Sequence, residues 1–251
     1  MTEGGSEDRF AVPGIAGGGI LAAGEGSRLR RDGFHVSKPL VRIGGVPLVE
    51  HAIKNFLAAG VAPLAILFNE AEDDCVRFVA SSFPGRGIDV AVRTTASTLE
   101  SFREISSRLP DGRILVATVD AWCPPEEFLR FVREAGSLPE EETVVAVTRL
   151  IEDERPLRVL RQGGDGRVVE IGGETGDTVT AGIFLFSDRA RRIPAPEGLL
   201  RLRDFLRWLA ASGEPVRAIE VRDVVDVDRE IDVRLAEALA ERFSAAARVG
   251  R

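Results

Sequence analysis

The chain alternates between short unbroken apolar runs and segments whose apolar residues recur every three or four positions. GIAGGGILAAG (Gly14–Gly24) is an unbroken apolar run that ends in glycines, the pattern of a strand buried on both faces of a parallel sheet. In VPLVEHAIKNFLAAGV (Val46–Val61), Leu48, Val49, Ala52, Ile53, Phe56 and Leu57 fall at helical spacing, and Gly60 supplies the stop. The alternation continues with a strand at Ala62–Asn69, a helix at Ala71–Phe83 and a strand at Ile88–Arg93. Next come a helix at Ala96–Leu109 with Ser97 or Thr98 as N-cap, the strand RILVATVD (Arg113–Asp120) and a helix at Pro124–Gly136. Strands and helices in strict succession at this spacing predict an α/β fold with a doubly wound, mostly parallel, Rossmann-like sheet.

From Thr143 the pattern changes. Thr143–Leu150 reads as a strand, and Leu157–Gly173 as two short strands around the turn GGDG, a hairpin signal. A strand at Val179–Ser187, a helix at Gly198–Ser212, the short runs VRAIEV and DVVDVD, and a last helix from Glu230 complete the chain. The second half is therefore expected to add a β-hairpin insertion and make the sheet mixed. No repeat or linker divides the chain, so one domain is expected over residues 13–245. It follows an acidic, glycine-rich tail at residues 1–12 that reads as disordered and lacks the basic and apolar regions of a signal peptide.

Composition narrows the function. The 251 residues carry a formal net charge of −7. That balance argues against nucleic-acid binding through phosphate neutralisation, while a local cluster of cations can still hold a small anion. No apolar run approaches the roughly 18–20 residues of a membrane span. Two cysteines, Cys75 and Cys123, form neither a disulfide framework nor a metal-ligand pattern, and the chain reads as cytoplasmic. Arginines number 31 and lysines two, Lys38 and Lys54.

That bias draws attention to LAAGEGSRL (Leu21–Leu29), followed by KPL at Lys38–Leu40. In an open α/β sheet, ligands bind beyond the carboxyl ends of the strands near a switch in strand order, where the loop after the first strand lies. Gly24 and Gly26 would let backbone N–H groups approach phosphate oxygens where a Cβ would intrude. Arg28 offers a planar fork for phosphate, and Lys38 a compact charge in a chain that otherwise uses arginine. The loop lacks the third glycine of a dinucleotide-binding fingerprint, with Leu29 in that place, and the Gly-Lys-Ser/Thr of a Walker loop. A dehydrogenase would also need an acid about twenty residues on, after a second strand, where RIGGVPLVE instead turns into a helix.

With KPL and GGVPLVEHAI, the loop resembles the start of the nucleotidyltransferases that activate sugar-1-phosphates, phosphocholine or inositol phosphate with a nucleoside triphosphate. Their opening is roughly L-A-A-G-x-G-x-R-L followed by K-P-L. The resemblance runs on through ILVATVDAW, DGRVVEI, TAGIFLFS and VVDVDREIDVRLAEA, from about Ile15 to Ala240. It implies transfer of a nucleoside monophosphate unit from the triphosphate to a small phosphorylated acceptor, with release of pyrophosphate. The implied nucleotide-binding loop is Leu21, Ala22, Ala23, Gly24, Glu25, Gly26 and Ser27, with backbone groups of Ala22 to Gly26 cradling base and phosphates. Arg28 would neutralise the leaving pyrophosphate and Lys38 would stabilise the transferred phosphoryl group. Asp120, Asp226 and Asp228 would hold Mg²⁺. On their own pattern these acids end apolar strand runs, where a parallel sheet delivers side chains to its ligand edge, and one or two carboxylates suffice for magnesium; Asp120 is equally readable as the cap of the following helix, and Asp226 and Asp228 as a solvated strand end.

The chain departs from the family in two places. RTTASTLESF (Arg93–Phe102) stands where the family has a glycine-containing G-T-A stretch. The hydroxyls of Thr95 and Ser97 at a helix start are candidates for sugar or phosphate groups, or form an ordinary cap. GGETGDTVTAG lacks the lysine of the family's acceptor-side E-K-P, for which Arg158 or Arg161 is the candidate replacement. That gap keeps an alternative in view, a catalytically inactive sensor or regulatory subunit that binds nucleotide-sugars on the same fold. His35, His51, Trp122 and Cys123 read as structural, and the arginines of Arg201–Leu209 as a solvated amphipathic face.

Overall fold

A computed structural model describes residues 13–150, 156–162 and 164–249, so the expected tail at 1–12 lies outside the described residues. The first half runs β1 (Gly17–Leu21), α1 (Ser27–Arg31), β2 (Arg42–Ile43), β3 (Val46–Pro47), α2 (Leu48–Ala58), β4 (Leu64–Phe68), α3 (Asp73–Ser82) and β5 (Ile88–Val92). It continues with α4 (Thr98–Ser107), β6 (Ile114–Thr118), β7 (Ala121–Trp122) and α5 (Pro125–Gly136). The second half runs β8 (Thr143–Thr148), β9 (Arg158–Gln162), β10 (Arg167–Ile171), β11 (Thr178–Phe186), α6 (Asp188–Arg192), α7 (Leu202–Ala211), β12 (Val216–Glu220), β13 (Val225–Asp226) and α8 (Glu230–Val249). Each element expected from the hydrophobic pattern is present, usually a few residues shorter than its apolar run.

Among the described residues, nine strands form one sheet in the order β5-β4-β1-β6-β11-β8-β12-β10-β9. The β5-β4-β1-β6 half is parallel, β11 runs antiparallel to both its neighbours, β8 and β12 are parallel to each other, and β9 and β10 make the expected hairpin. The sheet is thus doubly wound and mixed. The chain builds outward from β1 to β4 and β5, then crosses back to β6 on the other side of β1. The loop after β1 therefore sits at the switch in strand order, where such sheets bind ligands.

The three glycines of β1 explain how the layers meet. A Cβ on Gly18 would stand 2.5 Å from Phe56 Cδ1 of α2, and one on Gly19 would stand 2.3 Å from Ile105 Cγ2 of α4. Successive strand residues face opposite sides. The two glycines thus let α2 and α4 settle closely on either face of the central strand, and Phe56 and Ile105 are wholly buried. Burial of each such side chain stabilises by about 1.5–3 kcal/mol. Two buried arginines finish helix ends. Arg191 donates to the carbonyls of Ser106, Leu109, Pro110 and Gly112 after α4, and Arg113 to those of Ala135 and Leu138 at the end of α5. Carbonyls in the last turn of a helix have no intrahelical donor of their own.

Candidate active site

The carboxyl end of β1 is locked on both sides: Ala22 N donates to Leu67 O and Val119 N to Leu21 O, at 2.9 and 3.0 Å. The chain then turns through the glycine loop into α1. Gly26 is the N-cap, with φ +59°, in the left-handed region that favours glycine. A Cβ there would also stand 2.8 Å from Lys38 Cβ, so Gly26 lets the Lys38 turn pack directly on the loop. Gly24 is different. A Cβ on it would meet nothing within 4 Å, so nothing in the protein's own packing requires a glycine there.

Lys38 opens a single 3-10 turn, Lys38–Leu40, and is buried, not solvated. Its Nζ bridges Asp120 Oδ2 and Asp228 Oδ1, each at 2.5 Å, and Arg28 Nη1 reaches Asp228 Oδ2 at 2.7 Å. Burial pulls the Lys38 ammonium down. The carboxylates of Asp120, Asp228 and Asp226 outweigh that and hold it above the usual lysine range. Burial would likewise raise Asp120, and the Lys38 charge and hydrogen bond hold it below the usual carboxylate range. Lys54 supplies the contrast: exposed on α2, it makes an i,i+4 pair with Glu50.

Asp120 lies two residues past β6, and the cap reading does not hold. Pro124 is the N-cap of α5, with no side-chain cap bond. Asp226 and Asp228 come from another quarter than expected. β13 lies outside the main sheet, in a two-stranded antiparallel ribbon with β7 in which Asp226 pairs with Ala121. Val227 N donates to Asp120 O at 3.0 Å, so the ribbon fixes both acids against Asp120. Asp232 accepts the N–H groups of Asp228 and Arg229 and pins this segment at the start of α8. Behind the ribbon, β11 bulges between Thr180 and Phe184. Gly182 within it has φ +70°, and a Cβ there would stand 2.7 Å from Thr118 Oγ1 and 2.8 Å from Ala121 Cβ.

One ligand atom from each of Asp120, Asp226 and Asp228 lies within 4.8 Å of the others. Asp120 Oδ1 is buried and has no hydrogen-bond partner among the described residues. Three carboxylates with one orphaned, inward oxygen fit a hard divalent cation such as Mg²⁺, which takes oxygen ligands and completes its shell with water and phosphate. The cavity around them has a volume of about 730 Å³. Its wall includes Leu21, Ala23, Gly24, Arg28 and Lys38 from the first loop and turn, Ser97 and Thr98 from α4, and all three acids.

Several sequence-predicted residues stand back from the cavity. Ala22, Glu25, Gly26 and Ser27 shape the loop without lining the cavity; Ala22 is buried beneath it. Thr95 hydrogen-bonds Ser101 Oγ at 2.6 Å away from the cavity, whereas Ser97 lines it while also capping α4 by accepting from Glu100 N. Arg158 donates to Gly176 O, and Arg161 pairs with Asp177 and Glu220; neither lines the cavity. Conversely, Arg201 and Arg203, read as a solvated face, are part of its wall. Nothing local signals this, because which arginines of that helix turn inward depends on how α7 docks. His35 is exposed, His51 packs edge-on against Trp122, and Trp122 and Cys123 are buried.

The fold matches that of solved nucleotidyltransferases. The inositol-1-phosphate CTP transferase from T. maritima superposes with a TM-score of 0.75 over 89% of this chain and 95% of that one, at 20% identity. Residues 18–170 match the MobA-like NTP transferase domain, and the chain belongs to that family. It is 32% identical to a bifunctional IPC transferase and DIPP synthase from Rubrobacter xylanophilus, over 93% of this chain and 54% of that protein. It is 28% identical to a mannose-1-phosphate guanyltransferase from Gibberella zeae, over 67% and 48%. The chain thus spans about half the length of the curated relatives it matches. Among the described residues, no helix is long and apolar enough to cross a membrane.

Proposed function

We propose that the chain transfers a nucleoside monophosphate unit from a nucleoside triphosphate to a small phosphorylated acceptor, a sugar-1-phosphate or related alcohol phosphate, and releases pyrophosphate. The observation that carries this reading is the buried Lys38 ammonium shared between Asp120 and Asp228 at 2.5 Å, at the mouth of the glycine loop. Family membership and the activities of the relatives support it.

In the proposed reaction an oxygen of the acceptor phosphate attacks the α-phosphorus in line. A new P–O bond forms, and the bond to the bridging oxygen breaks with its electron pair leaving on pyrophosphate. Little covalent chemistry falls to the protein in such a transfer, so its work is positioning and charge stabilisation. The N–H groups of the loop around Gly24 receive the nucleotide, with Gly26 shaping the turn behind it. Arg28 meets the charge growing on the leaving group. Lys38, held as ammonium by its carboxylate neighbours, faces the phosphoryl group in transfer. Asp120, Asp226 and Asp228 would hold Mg²⁺, which when bound neutralises phosphate charge. Asp120 keeps Oδ1 available for it while Oδ2 holds Lys38. The unit carrying the activity is taken as residues 13–245, since strands from both ends of that span interleave in one sheet. Two buried, unpaired cysteines agree with a cytoplasmic setting.

The test is pyrophosphate release from each common nucleoside triphosphate with Mg²⁺ and a panel of phosphorylated acceptors, beside Asp120→Ala and Lys38→Ala. Release that requires one triphosphate and one acceptor and collapses in both variants is expected. Nucleotide binding without release from any pair would instead favour the sensor reading, which the missing acceptor-side lysine keeps in view.

A further inference from the structure

Arg28 in α1 and Asp32, the C-cap of that helix, both reach the segment that leads from β13 into α8. Arg28 Nη1 donates to Asp228 Oδ2 at 2.7 Å, and Glu230 N donates to Asp32 Oδ2 at 3.0 Å. Residues four apart lie on one side of a helical turn, so the two contacts act as one clasp. Little apolar packing holds this helix down. Of its five residues Leu29 alone is buried, and Ser27, Arg28, Arg30 and Arg31 are exposed. A short element with so few buried contacts belongs to the part of a fold that opens at low cost.

The clasp ends on an acid that the metal reading needs. Both oxygens of Asp228 are engaged, Oδ1 by Lys38 and Oδ2 by Arg28. Asp120 differs, because Oδ2 holds Lys38 while Oδ1 has no hydrogen-bond partner among the described residues. A divalent cation that enters at Asp120 Oδ1 therefore meets an Asp228 already carrying two cations. Those two are not equally held. Lys38 is buried and shared between two carboxylates, whereas the Arg28 side chain is 50% exposed, so water can take over its donors. A divalent ion repels a neighbouring guanidinium and attracts a carboxylate more strongly than a single charge does. Arg28 is thus the partner that gives way.

We propose that Arg28 and a divalent metal ion exclude one another at Asp228, so that the Arg28–Asp32 clasp holds α1 against the acids until Arg28 yields Asp228 to the ion. The freed guanidinium is then available to phosphate. Ion binding and the opening of α1 become one event, and the ion's apparent affinity is reduced by the fraction of molecules still clasped. Asp32 is a positioning residue in this device, acting through the placement of α1. The assignment rests on the metal site of the transferase reading, and the experiment separates the two.

Mn²⁺ binding without nucleotide is read by electron paramagnetic resonance for wild type, Arg28→Ala and Asp32→Ala, with Arg31→Ala, exposed on the same helix, as control. Arg28→Ala is expected to bind Mn²⁺ about threefold or more tighter, and Arg31→Ala within about 1.5-fold of wild type. Asp32→Ala separates the clasp from simple charge. Loss of a carboxylate weakens cation binding through charge alone, whereas an opened clasp strengthens it, by about twofold or more. Unchanged or weaker binding in Arg28→Ala or Asp32→Ala, or an equal gain in Arg31→Ala, overturns the proposal and leaves the metal site standing. No Mn²⁺ bound by wild type or any variant overturns the metal site and the proposal with it. Hydrogen exchange at the amides of Arg30, Asp32, Gly33 and Phe34, which bond within this turn, gives a second readout that needs no substitution. Mg²⁺ alone should speed it about threefold or more in wild type and leave Arg28→Ala unchanged. Slower or unaltered exchange in wild type overturns the clasp. Thermal unfolding of each variant checks that the fold survives.

Discussion

Replacing Gly24 and Gly26 by alanine, one at a time, separates what the loop needs for folding from what it needs for its ligand. Gly26 has φ +59°, and an alanine there pays roughly 1–2 kcal/mol for the left-handed conformation. Its Cβ would also fall 2.8 Å from Lys38 Cβ. That atom belongs to the root of a buried side chain whose far end is held by two carboxylates, so it cannot simply swing away. Overpacking of this kind costs about 1–3 kcal/mol. Gly26→Ala is therefore expected to destabilise by about 2–5 kcal/mol in urea unfolding followed by circular dichroism. Gly24 has no positive φ, and its Cβ would touch nothing. Gly24→Ala is expected to lie between no change and a gain of about 1 kcal/mol, because alanine restricts the unfolded chain. In calorimetric titration with a triphosphate and Mg²⁺, however, Gly24→Ala should bind clearly more weakly than wild type. A Gly26→Ala protein as stable as wild type would refute the packing account of the Lys38 turn. Undiminished nucleotide binding by Gly24→Ala would refute the close-approach account of Gly24.

Three further outcomes follow from the same geometry. Glu72 is buried, its Oε2 has no hydrogen-bond partner among the described residues, and burial pushes its carboxyl up to about 7 from 4.5. The folded state disfavours its ionised form, so the stability it leaves intact below pH 4.5 is lost as pH rises through about 7. Glu72→Gln should flatten that slope and be more stable at pH 8 by up to about 3 kcal/mol, as read by unfolding curves across pH. Asp74 accepts from Ser37 Oγ at 3.0 Å and ties the Lys38 turn to α3. Asp74→Ala, which removes the acceptor, should lower kcat roughly tenfold through misplacement of Lys38, with little effect on triphosphate KM in steady-state assays. Asp120→Asn should weaken Mn²⁺ binding at least about tenfold in electron paramagnetic resonance titration, because it removes the ligand charge that draws the ion.

The order of strands and helices was legible because it depends on local periodicity, and tertiary packing only trimmed the ends. The glycine loop, Arg28 and Lys38 were legible for a related reason: they lie within one short stretch after the first strand. Asp120, Asp226 and Asp228 were found as acids ending apolar runs, yet the antiparallel ribbon that joins them was not visible. It forms by pairing Ala121–Trp122 with Val225–Asp226, about a hundred residues apart in the chain. The rest of the cavity wall was least legible. Arg158 and Arg161 sit in the right stretch of sequence and turn to Gly176, Asp177 and Glu220. Arg201 and Arg203 reach the cavity only because Thr98 and Leu99 dock the start of α7 onto α4.

The most direct test of the proposed transfer follows the label on the triphosphate. With Mg²⁺ and an accepted acceptor, label on the α-phosphorus should move into a conjugate with the acceptor, and label on the γ-phosphorus should leave as pyrophosphate. Release of the γ label as inorganic phosphate, with the α label left on a nucleoside diphosphate, would mean a different bond is broken and would contradict the account.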